Sequence, residues 1–195
     1  MLPTREEAGE LLRDAEKSNP GMWVKHSLVV AECAQKIAGM CNMNIEKAFL
    51  LGLLHDIGRK FGVSHFRHVV DGYRYLLDLG YDESARICLT HSFPTQCMED
   101  YVGSIDVSQS DYFAIKQKLE ALKLDDYDRL IQLCDCLAGT TVVNMEDRMN
   151  DVEQRYGYYP ENKRIANRKL KSYFEKLAHQ NIYVIVSDDE RLWRA

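Results

Sequence analysis

The stretch Leu50-Leu51-Gly52-Leu53-Leu54-His55-Asp56-Ile57-Gly58-Arg59-Lys60 decides how this chain reads. With Ala48 and Phe49 before it, the run makes a helix that is apolar nearly all round, which places it at the centre of a core. Asn44 is a candidate cap for that helix, with Glu46 in its first turn, and Gly58 is a natural C-terminal stop. The run therefore ends in a histidine and an aspartate side by side at a buried helix end, where the macrodipole favours a cation. Burying both without partners would cost several kcal/mol, so they need a partner such as a metal ion.

Working outward, nearly every segment carries helical periodicity, and the prolines at 3, 20, 94 and 160 fall at boundaries. A short amphipathic helix is expected over Arg5 to Lys17, stopped by Asn19-Pro20-Gly21. The next runs from about Met22 to Met40, with His26 on the same face as Val29, Val30, Cys33 and Ile37. After a loop from Phe61 to Phe66, a helix over Arg67 to Leu79 lines up His68, Gly72, Leu76 and Leu79, and Gly72 leaves room for a close neighbour. Asp82 is expected to cap a helix on which Ile87, Cys88 and His91 share a face. Cys97 to Ser110 reads as a long polar loop, followed by helices near Asp111 to Leu122 and Asp126 to Gly139. On the latter, Asp135 looks inward with Ile131 and Ala138.

Beyond Thr140 the pattern changes. Met145 to Arg155 fits a helix, and Tyr156 to Pro160 an aromatic loop. Lys163 to Ala178 reads as an amphipathic helix with Ile165, Leu170, Tyr173, Phe174 and Leu177 inward. Its Lys163, Arg164, Arg168, Lys169 and Lys171 read as a solvated outer face, with phosphate or nucleic-acid binding as the minor alternative. Ile182 to Val186 fits a short strand or more helix. The expected fold is thus all-α, divided into an N-terminal helix and turn (1–21), a helical core (22–140) and a helical C-terminal extension packed on that core (141–195).

Composition bounds the function. The chain has 195 residues, enough for one well-buried core, and a formal net charge of −5 that argues against a nucleic-acid-coating surface. No segment approaches the ~20 apolar residues of a membrane span, and Met1 to Glu10 lacks the apolar core of a signal peptide. The six cysteines form no C-x-x-C pair, which points to reduced thiols and a cytoplasmic protein. Oligomeric state is not readable.

Five helices each present an inward-facing residue of metal-ligand type: His26, then His55-Asp56, then His68, then His91, then Asp135. One such histidine is usually a core residue; four with two aspartates in a small domain are a pattern. The order His26…His55-Asp56…Asp135 resembles the H…HD…D signature of the HD-domain metal-dependent phosphohydrolases over about Trp23 to Gly139. His68 and His91 resemble the additional ligand positions of two-metal HD proteins, among them those that hydrolyse dinucleoside polyphosphates and the cyclic-dinucleotide phosphodiesterases. The Gly-Tyr-Pro motif of the latter is missing from its place, since Gly157-Tyr158-Tyr159-Pro160 lies elsewhere.

The resemblance implies an HD-domain helical bundle that hydrolyses a small phosphorylated substrate, a nucleotide ester or anhydride, with a metal-activated water. Imidazole and carboxylate donors suit two divalent ions of Fe, Mn, Ni or Zn, with Mg less at home. Asp56 would bridge the two, His26, His55 and Asp135 completing one shell and His68 and His91 the other. Arg59 and Lys60 are candidate phosphate contacts, or else exposed residues past a helix end. His65 and Arg67 are candidate substrate contacts on the same footing. Two other readings fit the pattern: an HD-fold di-iron oxygenase, and a nucleotide-binding sensor domain without turnover.

Overall fold

The computed structural model describes residues 1–193. Among them are eleven α-helices, two 3-10 turns and no strand, only an isolated bridge between Ala138 and Val142. The all-α expectation therefore holds.

Local chemistry starts each helix. Helix α1 (Arg5–Ser18) opens with a capping box in which Thr4 Oγ1 accepts from Glu7 N at 3.2 Å and Glu7 accepts from Thr4 N at 2.7 Å. Helix α2 (Met22–Met40) follows the Pro20-Gly21 turn. Helix α3 (Ile45–Leu54) is capped by Asn44, whose Oδ1 accepts from Lys47 N at 2.9 Å. It crosses α2 at Gly52, where an added Cβ would lie 2.8 Å from Ala31 Cα. The missing side chain lets the two backbones touch.

Gly58 does not end α3. The helix stops at Leu54, and the chain tightens into a 3-10 turn over Ile57–Phe61. Gly58 instead makes a close approach: an added Cβ would sit 2.0 Å from His68 O and 2.5 Å from Gly72 N. Helix α4 (Arg67–Asp78) is thereby pressed directly onto the turn, and Gly72 provides the room expected of it, against Gly58 and Cys88.

Asp82 does not cap α5 (Asp82–Thr90). Tyr81 takes that position without a side-chain bond, and Asp82, in the first turn, accepts from the N-terminal amine at 3.1 Å. Helix α6 (Gln109–Ala121) starts two residues earlier than the sequence suggests because Ser108 caps it, accepting from Asp111 N at 3.1 Å. Helix α7 (Asp126–Cys136) ends short of Gly139, where the chain turns back and Leu137 O accepts from Val143 N at 2.8 Å. Segment 97–110 is less polar in its packing than in its sequence: Met98 and Tyr101 are buried, and the Tyr101 ring meets Phe66 at 5.4 Å.

Helix α8 (Met145–Tyr156) is capped by Asn144 and α9 (Glu161–Ala178) follows Pro160. Residues Ile182–Val186 form helix α10 rather than a strand, started by Asn181, whose Oδ1 accepts from Tyr183 N at 2.8 Å. Helix α11 (Glu190–Trp193) ends the described chain. The inward stripe of α9 is narrower than its sequence suggests: Asn167, Leu170, Phe174 and Ala178 are buried, while Ile165, Tyr173 and Leu177 are exposed. Leu170, Phe174, Ile182 and Tyr183 share one core cluster with Ile37 of α2 and Leu130 and Leu133 of α7. A second cluster joins α1 to α2–α5, and a third lies between α4, α5 and α6. No helix among the described residues is long and apolar enough to cross a membrane.

Candidate metal centre

The helix contacts at the two glycine sites bring the polar side chains together. The Gly52 crossing sets His55 of the α3 end beside His26 of α2, with ring centroids 5.2 Å apart. His26 Nε2 lies 3.1 Å from Asp135 Oδ1 of α7. The Gly58 contact sets His68 of α4 against Asp56, with His68 Nε2 3.2 Å from Asp56 Oδ1. His91, at the end of α5, places its Nε2 3.6 Å from the same oxygen. Two donor groups result, His26–His55–Asp135 and Asp56–His68–His91, and within each the donor atoms lie within 4.8 Å of one another. All six residues proposed as ligands are present in these two groups, His68 and His91 included. The groups adjoin, with His55 Nε2 3.9 Å from Asp56 Oδ2 and the His55 and His91 rings 5.1 Å apart.

Backbone carbonyls set the histidine tautomers. His55 Nδ1 donates to Gly52 O at 2.7 Å, His91 Nδ1 to Cys88 O at 2.9 Å, and His68 Nδ1 to His65 O. With the proton on Nδ1, each Nε2 presents a lone pair inward, the usual arrangement of a metal-ligating histidine. His68 Nε2 and His91 Nε2 then face each other at 3.4 Å, lone pair to lone pair, beside the Asp56 carboxylate. His55 Nε2 and Asp56 Oδ1 are buried with no hydrogen-bond partner. Acceptors converging on acceptors are repulsive until a cation sits among them. The donor set therefore fits divalent metal ions, imidazole and carboxylate being the ligands such ions take.

Electrostatics agree. Burial pushes the His91 imidazole down to about 3, and it lowers His55 as well, so both rings are neutral near pH 7. Burial alone would raise the Asp56 carboxyl, but the Arg59 guanidinium opposes it and the group is held well below the usual carboxylate range. Asp135 is held low in the same way, chiefly by its hydrogen bond with His26. Neutral imidazoles and ionised carboxylates are the protonation states that bind metal.

The centre opens into a cavity of about 390 Å³ whose lining includes His26, Asp56, His68, His91 and Asp135. Arg59 also reaches this cavity; its Nε donates to Asp56 Oδ2 at 2.5 Å. The other three residues proposed to touch substrate are not brought to it. Lys60 Nζ lies over the Tyr75 ring at 4.0 Å. His65 is exposed, its backbone N donating to Asp106 Oδ2 at 2.8 Å. Arg67 is exposed as well and bonds Asp106 through its backbone N at 2.7 Å. The His65 ring nevertheless meets Tyr156, a cavity-lining residue, edge-on at 5.9 Å, so it touches that wall without lining the cavity itself.

Several lining residues were not anticipated. Lys163, expected on a solvated face, is partly buried and lines the cavity, with Nζ donating to Ser92 O at 2.9 Å. Burial lowers its pKa from the ordinary lysine value. Gln132, one turn before Asp135, is buried and lines the cavity; its Nε2 donates to Thr90 O at 2.9 Å and Phe93 O at 3.2 Å, and its Oε1 has no partner. The spacing Gln132…Asp135 on one helix face was the available signal for it. Trp23, Tyr101, Tyr156 and Tyr159 supply an aromatic lining, and Arg148 and Arg155 of α8 add positive charge.

The family model described as HD domain matches residues 23–140, which is more than half of the chain. No curated protein and no solved structure matches it.

Proposed function

The chain belongs to the HD domain family, and we propose that within it this protein is a phosphohydrolase with two divalent metal ions that cleaves a phosphate ester or anhydride of a nucleotide. The observation that carries the reading is the pair of adjoining donor groups, in which His55, His68 and His91 turn Nε2 lone pairs inward, opening onto a cavity with cationic and aromatic walls. His26, His55 and Asp135 would hold one ion and Asp56, His68 and His91 the other, Asp56 being the residue that adjoins both groups, with its Oδ2 3.9 Å from His55 Nε2. Fe, Mn, Ni or Zn suits these donors better than Mg. When bound, the metal pair supplies Lewis acidity that activates water and neutralises phosphoryl charge.

The chain's own residues orient and bind. Gly52, Cys88 and His65 carbonyls hold the three imidazole rings in one tautomer. Arg59 fixes Asp56 through Nε while lining the cavity, where its planar guanidinium suits a phosphoryl oxygen. The Trp23, Tyr156 and Tyr159 rings offer faces on which a nucleobase can stack. The cavity volume of about 390 Å³ lies at the small-ligand end of the usual range, roughly 300–1,000 Å³, which favours a small molecule over a polymer. Six unpaired cysteines support a reducing, cytoplasmic setting.

The test is phosphate release from a panel of nucleotide esters and anhydrides by protein purified without chelator. Turnover that chelator abolishes supports the reading. Substrate-dependent O₂ uptake without phosphate release would replace it with di-iron oxygenation. Tight nucleotide binding without turnover across the panel would replace it with a sensor role.

A further inference from the structure

The cavity has two unlike walls. One carries the metal-donor groups and their two carboxylates, all within residues 23–140. The other comes from the chain beyond that family segment: Arg148 and Arg155 of α8, the Tyr156 and Tyr159 rings, and Lys163 of α9. The second wall has more positive charge than its own carboxylates neutralise. Arg148 and Arg155 share Asp151, at 3.4 Å and 2.9 Å. Among the described residues no carboxylate lies within ion-pair distance of Lys163 Nζ, which donates to the Ser92 carbonyl at 2.9 Å and lies 5.8 Å from the Tyr159 ring centroid, with Asp135 acting on it only at longer range.

Lys163 is also poorly placed for stability. It sits in the first turn of α9, where the helix dipole disfavours a cation, and it is partly buried, where an unpaired charge is costly. A solvated lysine would escape both penalties. The carbonyl that Nζ touches is that of Ser92, next to the ligand candidate His91, so the ammonium group stands close to the donor groups without being one of them. An anion seated between them would give the ammonium the direct ion pair it lacks.

We propose that Lys163, with Arg148 and Arg155, forms a subsite for a second, non-reacting phosphoryl group, so that the substrate carries at least two phosphoryl groups rather than one. The inference rests on the phosphohydrolase reading for the first of these groups, which lies against the metal donors. Lys163 donates to an oxygen of the second through its ammonium hydrogens, and the two arginines neutralise the remainder towards the cavity mouth. A monoester would leave this wall without a partner. The subsite thus sets specificity for phosphoanhydrides or bisphosphates, and takes no part in bond cleavage.

The experiment is calorimetric titration of protein purified without chelator, with inorganic phosphate and with methylenebisphosphonate, a pyrophosphate mimic that cannot be hydrolysed. Metal content is measured after each titration so that extraction is detected. Wild-type protein is expected to bind the bisphosphonate at least tenfold more tightly than phosphate. Lys163→Gln should lose about 10- to 100-fold in bisphosphonate affinity, the worth of one charge-assisted hydrogen bond, with phosphate affinity changed less than threefold. Lys163→Arg should retain most of the preference. If Lys163→Gln does not fold, Arg148→Gln combined with Arg155→Gln gives the same comparison on side chains that are 26% and 49% exposed. Equal losses for both ligands, or none for either, overturn the subsite. Lys163-dependent bisphosphonate binding without any hydrolysis would retain the subsite and remove the phosphohydrolase reading. Monoester hydrolysis indifferent to Lys163 would do the reverse.

Discussion

Gly58→Ala tests whether packing of the 3-10 turn on α4 builds half of the centre. The new methyl would lie 2.0 Å from His68 O, against an ordinary contact of 3.4 Å or more, so the backbones must part there by about 1.4 Å. Overpacking a core costs about 1–3 kcal/mol, and because both obstructing atoms are backbone, the upper end applies. At about 2–4 °C per kcal/mol for a chain of this size, the thermal midpoint should fall by about 6–12 °C. The functional consequence is more specific. Helix α4 carries His68, and a shift of about 1.4 Å far exceeds the ~0.2 Å tolerance of a metal–ligand distance. The His26–His55–Asp135 group includes no α4 residue and should persist. Elemental analysis should therefore read about one metal per chain in place of about two. Gly39→Ala is the control, since its Cβ would meet nothing nearer than 3.5 Å; in the α2 helix it should stabilise by about 0.5–1 kcal/mol. An unchanged midpoint and unchanged metal content in Gly58→Ala would refute the packing argument.

Three further outcomes are expected. Asp128 is fully buried, with Arg86 Nη2 at 2.5 Å and Thr90 Oγ1 at 2.8 Å, so Asp128→Ala should destabilise by about 3–5 kcal/mol; a midpoint within 2 °C of wild type, by the ~2–4 °C per kcal/mol scaling, would contradict this. Metal-free protein should lose stability on acidification. Buried His91 titrates at about 3 in the folded chain and near 6.5 unfolded, so between those values the unfolded state binds the extra proton; stability is full above pH 6.5 and declines towards pH 3. His55, lowered in the same direction, adds to this, and a chelated sample with a flat midpoint from pH 7 to about 4.5 would count against both assignments. Burial raises the Cys33 and Cys134 thiols, so iodoacetamide at pH 8 should alkylate these two only after unfolding; rapid labelling of the native protein at either of them would contradict their placement.

What was legible in the sequence was the part encoded locally. Helical period alone points His26, His68, His91 and Asp135 inward, because neighbours three and four residues away declare the buried face. The Asn44 cap of α3 is likewise local. The contacts between elements were not legible. Gly58 looked like a helix stop because glycine commonly ends helices with positive φ, yet it is not among the positive-φ glycines; its role is set by α4. Lys163 looked solvated because charge on an amphipathic helix usually faces water, whereas the docking of α9 beside α7 turns it into the cavity. Lys60, His65 and Arg67 looked like substrate contacts because they neighbour ligands in sequence. The turn directs Lys60 onto Tyr75, and Asp106 holds the backbone of the other two.

The central claim is that Asp56 joins two metal sites. The direct measurement is elemental analysis of wild-type protein and Asp56→Ala, both purified without chelator and both shown to be folded by circular dichroism. The account predicts about two divalent ions per chain in the wild type. In Asp56→Ala it predicts loss of the ion on the His68–His91 side at least, together with loss of hydrolysis. Two ions per chain retained by Asp56→Ala, or none in the wild type, would contradict it.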